Sequence, residues 1–406
     1  MKYIAILGFG VVGGGIPSVI ENSQEKIRRA IGDDVKVKYI LDLRDFPDSP
    51  YSSLIVHDIG VILEDSEVSL VCETMGGAHP AYEFTRACFE AGKSVVTSNK
   101  ELVSLYGDEL FRCASANGVF YQIEACVGGG IPVIRAFNTS LAGEELTSVS
   151  GIVNGTTNYI LTRMKNAGLS FSDALGEAQR LGFAEKDPSA DIDGIDAQRK
   201  IIILAALATG TLLSPDDVYT ESLRSITPDD IESAHICGGE LKLIAQADIS
   251  YGNALCCVSP MIVPSSSVLA SVSDVFNGIA ATGKSLGEVM FIGRGAGRMA
   301  TAAAVFADAC AVLSGAAAHE RIPEFTRGTE HTEGAGTENY LGRPHKWCVR
   351  AEAGRTELTD ILSAVGDVTV VSDEGGVVRA VVSGVSKLEL DALLAKLPGA
   401  SALRFM

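Results

Sequence analysis

The sequence predicts an α/β chain: an N-terminal domain with a covered parallel sheet, a central α+β domain, and a small C-terminal βαββαβ module. Three observations carry this. Over about the first 125 residues, strand-like segments alternate with helix-like ones, the pattern of parallel strands joined by helical crossovers. A glycine-rich turn directly follows the first strand. From Trp347 onward the order is strand, helix, strand, strand, helix, strand, which is ferredoxin-like.

The elements follow in order. Lys2–Leu7 reads as a buried strand, then a glycine turn and a helix running to about Ala30. Val35–Leu41 is a second strand, and Ser69–Thr74 and Ser94–Ser98 are two more, each followed by a helix. Val119–Glu124 completes the set. The texture changes at Gly128-Gly-Gly-Ile-Pro132, after which apolar helices mix with strands to about residue 292. A second glycine cluster, Gly293-Arg-Gly-Ala-Gly297, precedes an Ala-rich helix from Ala300 to about Ser314. The expected domains are 1–130, with a return helix at about 295–315, then 131–294, a polar linker 320–344 rich in Gly, Thr and Glu, and 345–406.

Composition narrows the function classes. A net charge of −18 with no basic run argues against nucleic acid, since phosphate contacts need concentrated Lys and Arg. The longest apolar run, Ile201–Ala208, is far below the ~18–20 residues that span a bilayer, so no membrane segment is expected. The nine cysteines include no CxxC pair, and the neighbours His235/Cys237 and His345/Cys348 lack further ligands for zinc. They read as reduced thiols of a cytoplasmic protein.

Gly8-Phe9-Gly10-Val11-Val12-Gly13 sits between the first strand and the first helix. There the glycines serve a tight turn, backbone approach to a pyrophosphate, and close helix–strand packing, so these six residues are expected to bind a dinucleotide in a Rossmann domain. Asp42 ends the second strand, where a carboxylate can hold the ribose hydroxyls of NAD. Arg44 suits the 2′-phosphate of NADP instead, so both nucleotides stay open.

The densest polar stretch runs from Glu185 to Lys200 and enters the apolar helix Ile201–Ala208. Asp196 and Lys200, four residues apart, share a helical face. Alone, that is a helix-stabilising pair worth a few tenths of a kcal/mol. But Lys200 stands where the helix turns apolar, so its ammonium needs carboxylates and can act as an acid or base. Lys100 follows strand Ser94–Ser98 at the carboxyl end of a parallel strand, where open α/β sheets bind ligands.

Several segments together resemble the homoserine dehydrogenase family in order and spacing. They are Glu73-Thr-Met-Gly-Gly-Ala-His-Pro-Ala81, Gly92–Lys100, Glu124–Pro132, Gly151-Ile-Val-Asn-Gly-Thr-Thr-Asn-Tyr-Ile160, Leu181–Lys200, and Gly293–Gly297 with Thr301–Val305. The resemblance covers about residues 1–315, and with no aspartokinase-like segment ahead of it, it is to the monofunctional form. It implies a catalytic and dimerisation role for the central domain, and NAD(P)-dependent interconversion of L-aspartate 4-semialdehyde and L-homoserine. It further implies Lys200 as proton donor, Lys100 at the cofactor–substrate junction, and Asp196 orienting Lys200. Glu185, Asp191, Gly155 and Thr156 fall at substrate positions, and Thr97 and Gly297 join the cofactor set. Backbone carbonyls of Glu124, Val127, Gly129 and Ile131 match a sodium site, which is sensible chemistry for a hard cation. A homodimer or higher homo-oligomer is expected.

The sequence departs from the family in places. Phe183 stands where the family often has tyrosine, removing one hydroxyl contact to substrate, and Ala300 replaces the usual proline before Thr301. The C-terminal module resembles an ACT domain in order, but Gly354-Arg-Thr-Glu357 lacks the Pro-Gly loop that binds effectors. The alternatives are another Rossmann-type amino-acid dehydrogenase, separable by a substrate panel, and a non-catalytic nucleotide sensor, which binds without turnover.

Overall fold

An unbroken apolar run, Ile4–Leu7, buries the first strand at the centre of a sheet. The computed structural model describes residues 1–250, 252–320, 322–328, 336–397 and 399–406. Six strands, β1 (Lys2–Leu7), β2 (Val35–Leu41), β3 (Ile55–Val56), β4 (Val68–Glu73), β5 (Ser94–Thr97) and β6 (Tyr121–Gln122), pair in the order β3-β2-β1-β4-β5-β6. Every pair is parallel. The strand order reverses between β1 and β4, and ligands of such sheets bind at the carboxyl ends of the strands at that reversal.

This sheet belongs to a unit made of Met1–Glu145, Ile202–Pro215 and Gly293–Thr329. Its core joins Ile4 and Ile6 of β1 to Ile16, Ile40, Leu70 and Val96, and then to Ala302, Val305, Phe306 and Ala309. Those last four belong to the helix Arg298–Ser314, which returns from far along the chain. The helix expected from the glycine turn to Ala30 is instead broken at Ser23 into Ile16–Asn22 and Gln24–Ile31. Ser23 leaves the helical region (φ −126°), so the second piece starts in a new direction. Beyond β6 the expected strand gives way to a tight turn at Glu124–Cys126.

A buried polar cluster ties the return helix to that turn. The Glu124 backbone N–H donates to Asp308 at 2.8 Å, and the Arg135 guanidinium donates to the other Asp308 oxygen at 3.1 Å and meets Glu320 at 3.0 Å. The Glu124 carboxylate accepts the N–H groups of Ile134 and Arg135 at 3.0 and 2.7 Å.

The second unit comprises Leu146–Ile201, Asp216–Ile292 and Glu330–Met406. Its sheet runs Gly287–Arg294, Phe276–Gly283, β7 (Leu146–Ile152), Gly239–Ser250, Asn253–Pro264, Ser401–Phe405, Pro344–Ala351, Val377–Ser386, Asp367–Glu374, with Tyr219–Thr220 branching from Asn253–Pro264. The last four in space carry the expected βαββαβ order with helices Arg355–Ser363 and Lys387–Leu394. They enclose a core of Trp347, Val349, Leu358, Leu362, Val382 and Leu390.

Two domain boundaries differ from expectation. The final strand pairs in parallel with Asn253–Pro264, Met261 opposite Arg404, so 345–406 continues the central sheet rather than standing apart. Within the expected linker 320–344, Thr326–Arg327 pairs with Thr211–Leu212 and Thr337–Gly342 is helical with Tyr340 buried. Tyr340 stacks on Tyr219 at 4.4 Å, which gives this polar stretch an apolar anchor. Residues 321 and 329–335 of the linker lie outside the described residues. All nine cysteines are free thiols.

Burial pushes the Asp308 carboxyl up to about 8, with the neighbouring Glu124 adding to the shift and Arg135 opposing it. A carboxyl raised from 3.8 to about 8 keeps its proton in the folded chain while the unfolded chain has lost it. Stability therefore falls as pH rises between those values, by up to about 1.4 kcal/mol per pH unit. Asp308→Asn is expected to flatten this slope in denaturant unfolding followed from pH 5 to 8.

Candidate active site

In the first unit, close approach explains the glycines. A Cβ on Gly13 would lie 2.0 Å from the Gly8 carbonyl oxygen, so that position admits no side chain. Gly8 itself is left-handed (φ +87°), while Gly10 faces open space. Thr74, at the end of β4, donates its hydroxyl to the carbonyls of Leu7 and Gly8 at 3.0 and 2.8 Å and fixes the turn. Arg298 of the return helix donates to the Gly14 carbonyl at 2.7 Å. Val11 is exposed, Val12 packs on the core, and the Phe9 ring sits edge-on to Phe46 at 5.1 Å.

Asp42 and Arg44, the two opposed specificity signals, are bonded to each other. Asp42 accepts from Arg44 Nε and Nη2 at 3.0 and 3.1 Å and from the Phe9 N–H at 2.8 Å. Burial pulls the Asp42 carboxyl upward, but the hydrogen bonds from Arg44 and Phe9 outweigh it and hold the group below its ordinary value. A cavity of about 410 Å³ opens beside them, lined by Gly8, Gly10, Asp42, Arg44, Thr74 and Met75 among others.

Thr97 ends β5. It is fully buried, its hydroxyl donates to Glu73 and accepts from the Asn99 N–H, and so its side chain serves the strand end. Burial raises the Glu73 carboxyl to about 7 despite those hydrogen bonds. Lys100 opens the helix Lys100–Ala116, whose N-cap Asn99 accepts from the Leu102 N–H at 3.0 Å. Gly297 caps the return helix at φ +124° with nothing within 4 Å of a Cβ, and Gly129 (φ +54°) would clash with the Gly295 carbonyl at 2.4 Å. Val127 is fully buried, and the Ile131 carbonyl accepts from the Val133 N–H at 2.8 Å.

In the second unit, Lys200 is only 8% exposed. Its Nζ donates to Asp196 Oδ2 at 2.6 Å and to the Val153 carbonyl at 2.7 Å. Asp196, one turn earlier on the helix Ile195–Thr209, is buried as well. Val153 follows β7, and the helix Gly155–Ala167 begins two residues later. Gly155 lies against the Val275 carbonyl, 2.8 Å from where a Cβ would be. Thr156 donates its hydroxyl to the Phe183 carbonyl at 2.7 Å, and the Phe183 ring packs edge-on against Tyr159 at 4.9 Å.

Asp191 stands beside this group, its carboxyl raised by burial and then by repulsion from Asp196. Glu185 is exposed on the loop before the helix Ser189–Ile192. Sequence reasoning passed over Asn154, whose side-chain nitrogen donates to Asp191 at 2.7 Å and to Asp196 at 2.8 Å. Its signal was an Asn immediately ahead of a helix, the position of an N-cap. The arrangement gives a buried ammonium beside paired carboxylates, suited to passing a proton to an oxygen that gains charge.

Comparison with known proteins places the chain in a family. The family model described as homoserine dehydrogenase, NAD binding domain, matches residues 8–124, and that described as homoserine dehydrogenase matches 132–310. A homoserine dehydrogenase from Synechocystis sp. is 40% identical over 314 residues, 75% of this chain and 72% of that one. The crystal structure of a homoserine dehydrogenase from Thiobacillus denitrificans superposes with a TM-score of 0.88 at 29% identity, covering 100% of this chain and 98% of that one. A hyperthermophilic archaeal homoserine dehydrogenase mutant in complex with NADPH gives 0.66 at 29% identity, over 77% of this chain and 98% of that one. The chain belongs to the homoserine dehydrogenase family.

Proposed function

We propose that this oxidoreductase interconverts L-aspartate 4-semialdehyde and L-homoserine with Lys200 as the proton donor to the aldehyde oxygen. One observation carries the reading: Lys200 is buried, and two of its three N–H bonds already go to Asp196 and the Val153 carbonyl. An ammonium has three donors and no acceptor, so a third N–H remains for a substrate oxygen. Bound NAD(P) supplies or accepts the hydride. As charge develops on the oxygen, Lys200 Nζ stabilises it and releases its proton, while Asp196 keeps the amine in place. In the reverse direction Nζ takes the hydroxyl proton.

Asp191 and Glu185 are acids suited to the substrate ammonium, and Thr156 with the close-packed Gly155 shapes the same loop. Lys100 acts as a second cation at the carboxyl end of the parallel sheet. The glycine turn Gly8–Gly13 receives the pyrophosphate. Asp42 serves the ribose of NAD and Arg44 the 2′-phosphate of NADP. Backbone approach at Gly10 and the about 410 Å³ cavity beside Asp42 and Arg44 support such a nucleotide. Gly297 joins through its open backbone; for Thr97 only main-chain contact remains.

A sodium ion on the carbonyls of Glu124, Val127, Gly129 and Ile131 suits a turn in which Gly128 and Gly129 are both left-handed. Carbonyl oxygens are hard donors that suit such a cation. We also assign the enzyme to the cytoplasm, a reducing compartment that suits its free cysteine thiols. A homodimer or larger homo-oligomer is supported by the apolar Ile292, exposed on the edge strand Gly287–Arg294 of the second sheet, and by Leu286, exposed in the turn that leads into it.

With L-homoserine and NAD or NADP, wild-type protein is expected to reduce the nucleotide, and Lys200→Ala to lower kcat by about 10²–10⁴-fold. Nucleotide Kd should stay unchanged; an active Lys200→Ala enzyme would remove the assigned role. Arg44→Ala is expected to raise KM for NADP about tenfold relative to NAD, the worth of a charge-assisted hydrogen bond. Phe183→Tyr should lower KM for L-homoserine a few-fold by returning a hydroxyl, read in initial rates at saturating nucleotide.

A further inference from the structure

Asn154 bonds in both directions at once. Its side-chain oxygen accepts from the Thr157 N–H at 2.9 Å and the Thr157 hydroxyl at 3.0 Å, capping the helix Gly155–Ala167. The cap fixes which end of the amide faces the helix, so the nitrogen faces the acids. Its two N–H bonds go to Asp191 Oδ1 at 2.7 Å and Asp196 Oδ2 at 2.8 Å. All four bonding positions of the amide are filled, and the residue is 6% exposed. The side chain therefore has one orientation, set by the helix, that it passes on to two carboxylates.

A neutral donor at this point has a chemical advantage. Two carboxylates held by one group repel each other, and a lysine or arginine between them would neutralise the charge they offer. An amide holds both and leaves that charge in place. Asp196 Oδ2 receives Asn154 and Lys200 together, so the amide also sets the direction of the Lys200 Nζ.

We propose that Asn154 is a positioning residue of the reaction: its amide fixes the spacing of Asp191 and Asp196 and, through Asp196, aims the amine of Lys200. This rests on the reading that Lys200 donates the proton.

Two substitutions keep the cap and remove the bridge. Ser and Asp are N-cap residues as good as Asn. Asn154→Ser loses both donors without adding charge, and Asn154→Asp replaces the donors by a third carboxylate of nearly the same shape. Both would be assayed in reduction of L-aspartate 4-semialdehyde with saturating NADPH from pH 5.5 to 9, beside Lys200→Ala and thermal melts. Loss of hydrogen bonds to charged groups predicts a fall in kcat of about tenfold or more for Asn154→Ser, with nucleotide Kd unchanged. Asn154→Asp should be slower still at high pH and recover towards Asn154→Ser as pH falls, because a protonated carboxyl regains one O–H donor.

If both variants keep kcat within about twofold and the wild-type pH profile while Lys200→Ala is inactive, the role of Asn154 is overturned and the site reading stands. A pH-independent loss matched by a lowered melting temperature equally overturns it, because a cap alone then explains the residue. Activity in Lys200→Ala overturns the site reading and this inference together.

Discussion

An ammonium held inside a protein must be paired. The desolvation cost of burying Lys200 is of the order of several kcal/mol even after relaxation, and it is offset only when opposite charge and further acceptors are present. Asp196 and the Val153 carbonyl are those acceptors. Their demands propagate. Val153 must follow β7 without a helical hydrogen bond of its own, so the next helix can start only after Asn154 has capped it. Gly155 must then carry no side chain, since the Val275 carbonyl occupies that space. A short run, Val153-Asn154-Gly155-Thr156, thus exists in its particular order because a lysine is buried beside it.

The first unit is governed by close approach rather than by charge. Gly13 lets the backbone fold onto the Gly8 carbonyl, and Thr74 locks the turn from the neighbouring strand. The polar groups at its edge satisfy each other: Asp42 with Arg44 and Phe9, Glu73 with Thr97. On the function proposed above, a nucleotide that used Asp42 would compete with the Arg44 guanidinium bonded to it. Sugar hydroxyls and a 2′-phosphate would draw on opposite members of that pair, so one arrangement can serve two nucleotides. Arg44 is mostly exposed, hence inexpensive to displace.

Much of this was legible in the residues. Strand–helix alternation announced the parallel sheet, and the glycine spacing located the turn, because both follow from local geometry. The pair Asp196–Lys200 was visible as two residues on one helical face. Other features depended on distant partners. The break at Ser23 lies in a segment whose periodicity is helical throughout, and only the packing of Ile16, Ile20 and Ile27 into one core decides its direction. The helix Thr337–Gly342 hides in a polar stretch because a single residue, Tyr340, anchors it to Tyr219 about 120 positions earlier. The bond from the Thr97 hydroxyl to Glu73 was hidden as well, because it joins adjacent strands 24 residues apart. Asn154 was overlooked since its two acids lie 37 and 42 residues away.

The strand Ser401–Phe405 lies between Asn253–Pro264 and Pro344–Ala351, bonded to both. Its Arg404 reaches Tyr340 and Gln246 from within the protein. This strand is synthesised well after the return helix Arg298–Ser314. The parallel sheet and its covering helix precede it entirely, so that sheet can finish assembling during translation before the larger one is joined through Ser401–Phe405. Without Ser401–Phe405 the two flanking strands would each present an open edge to a missing neighbour, an invitation to intermolecular pairing.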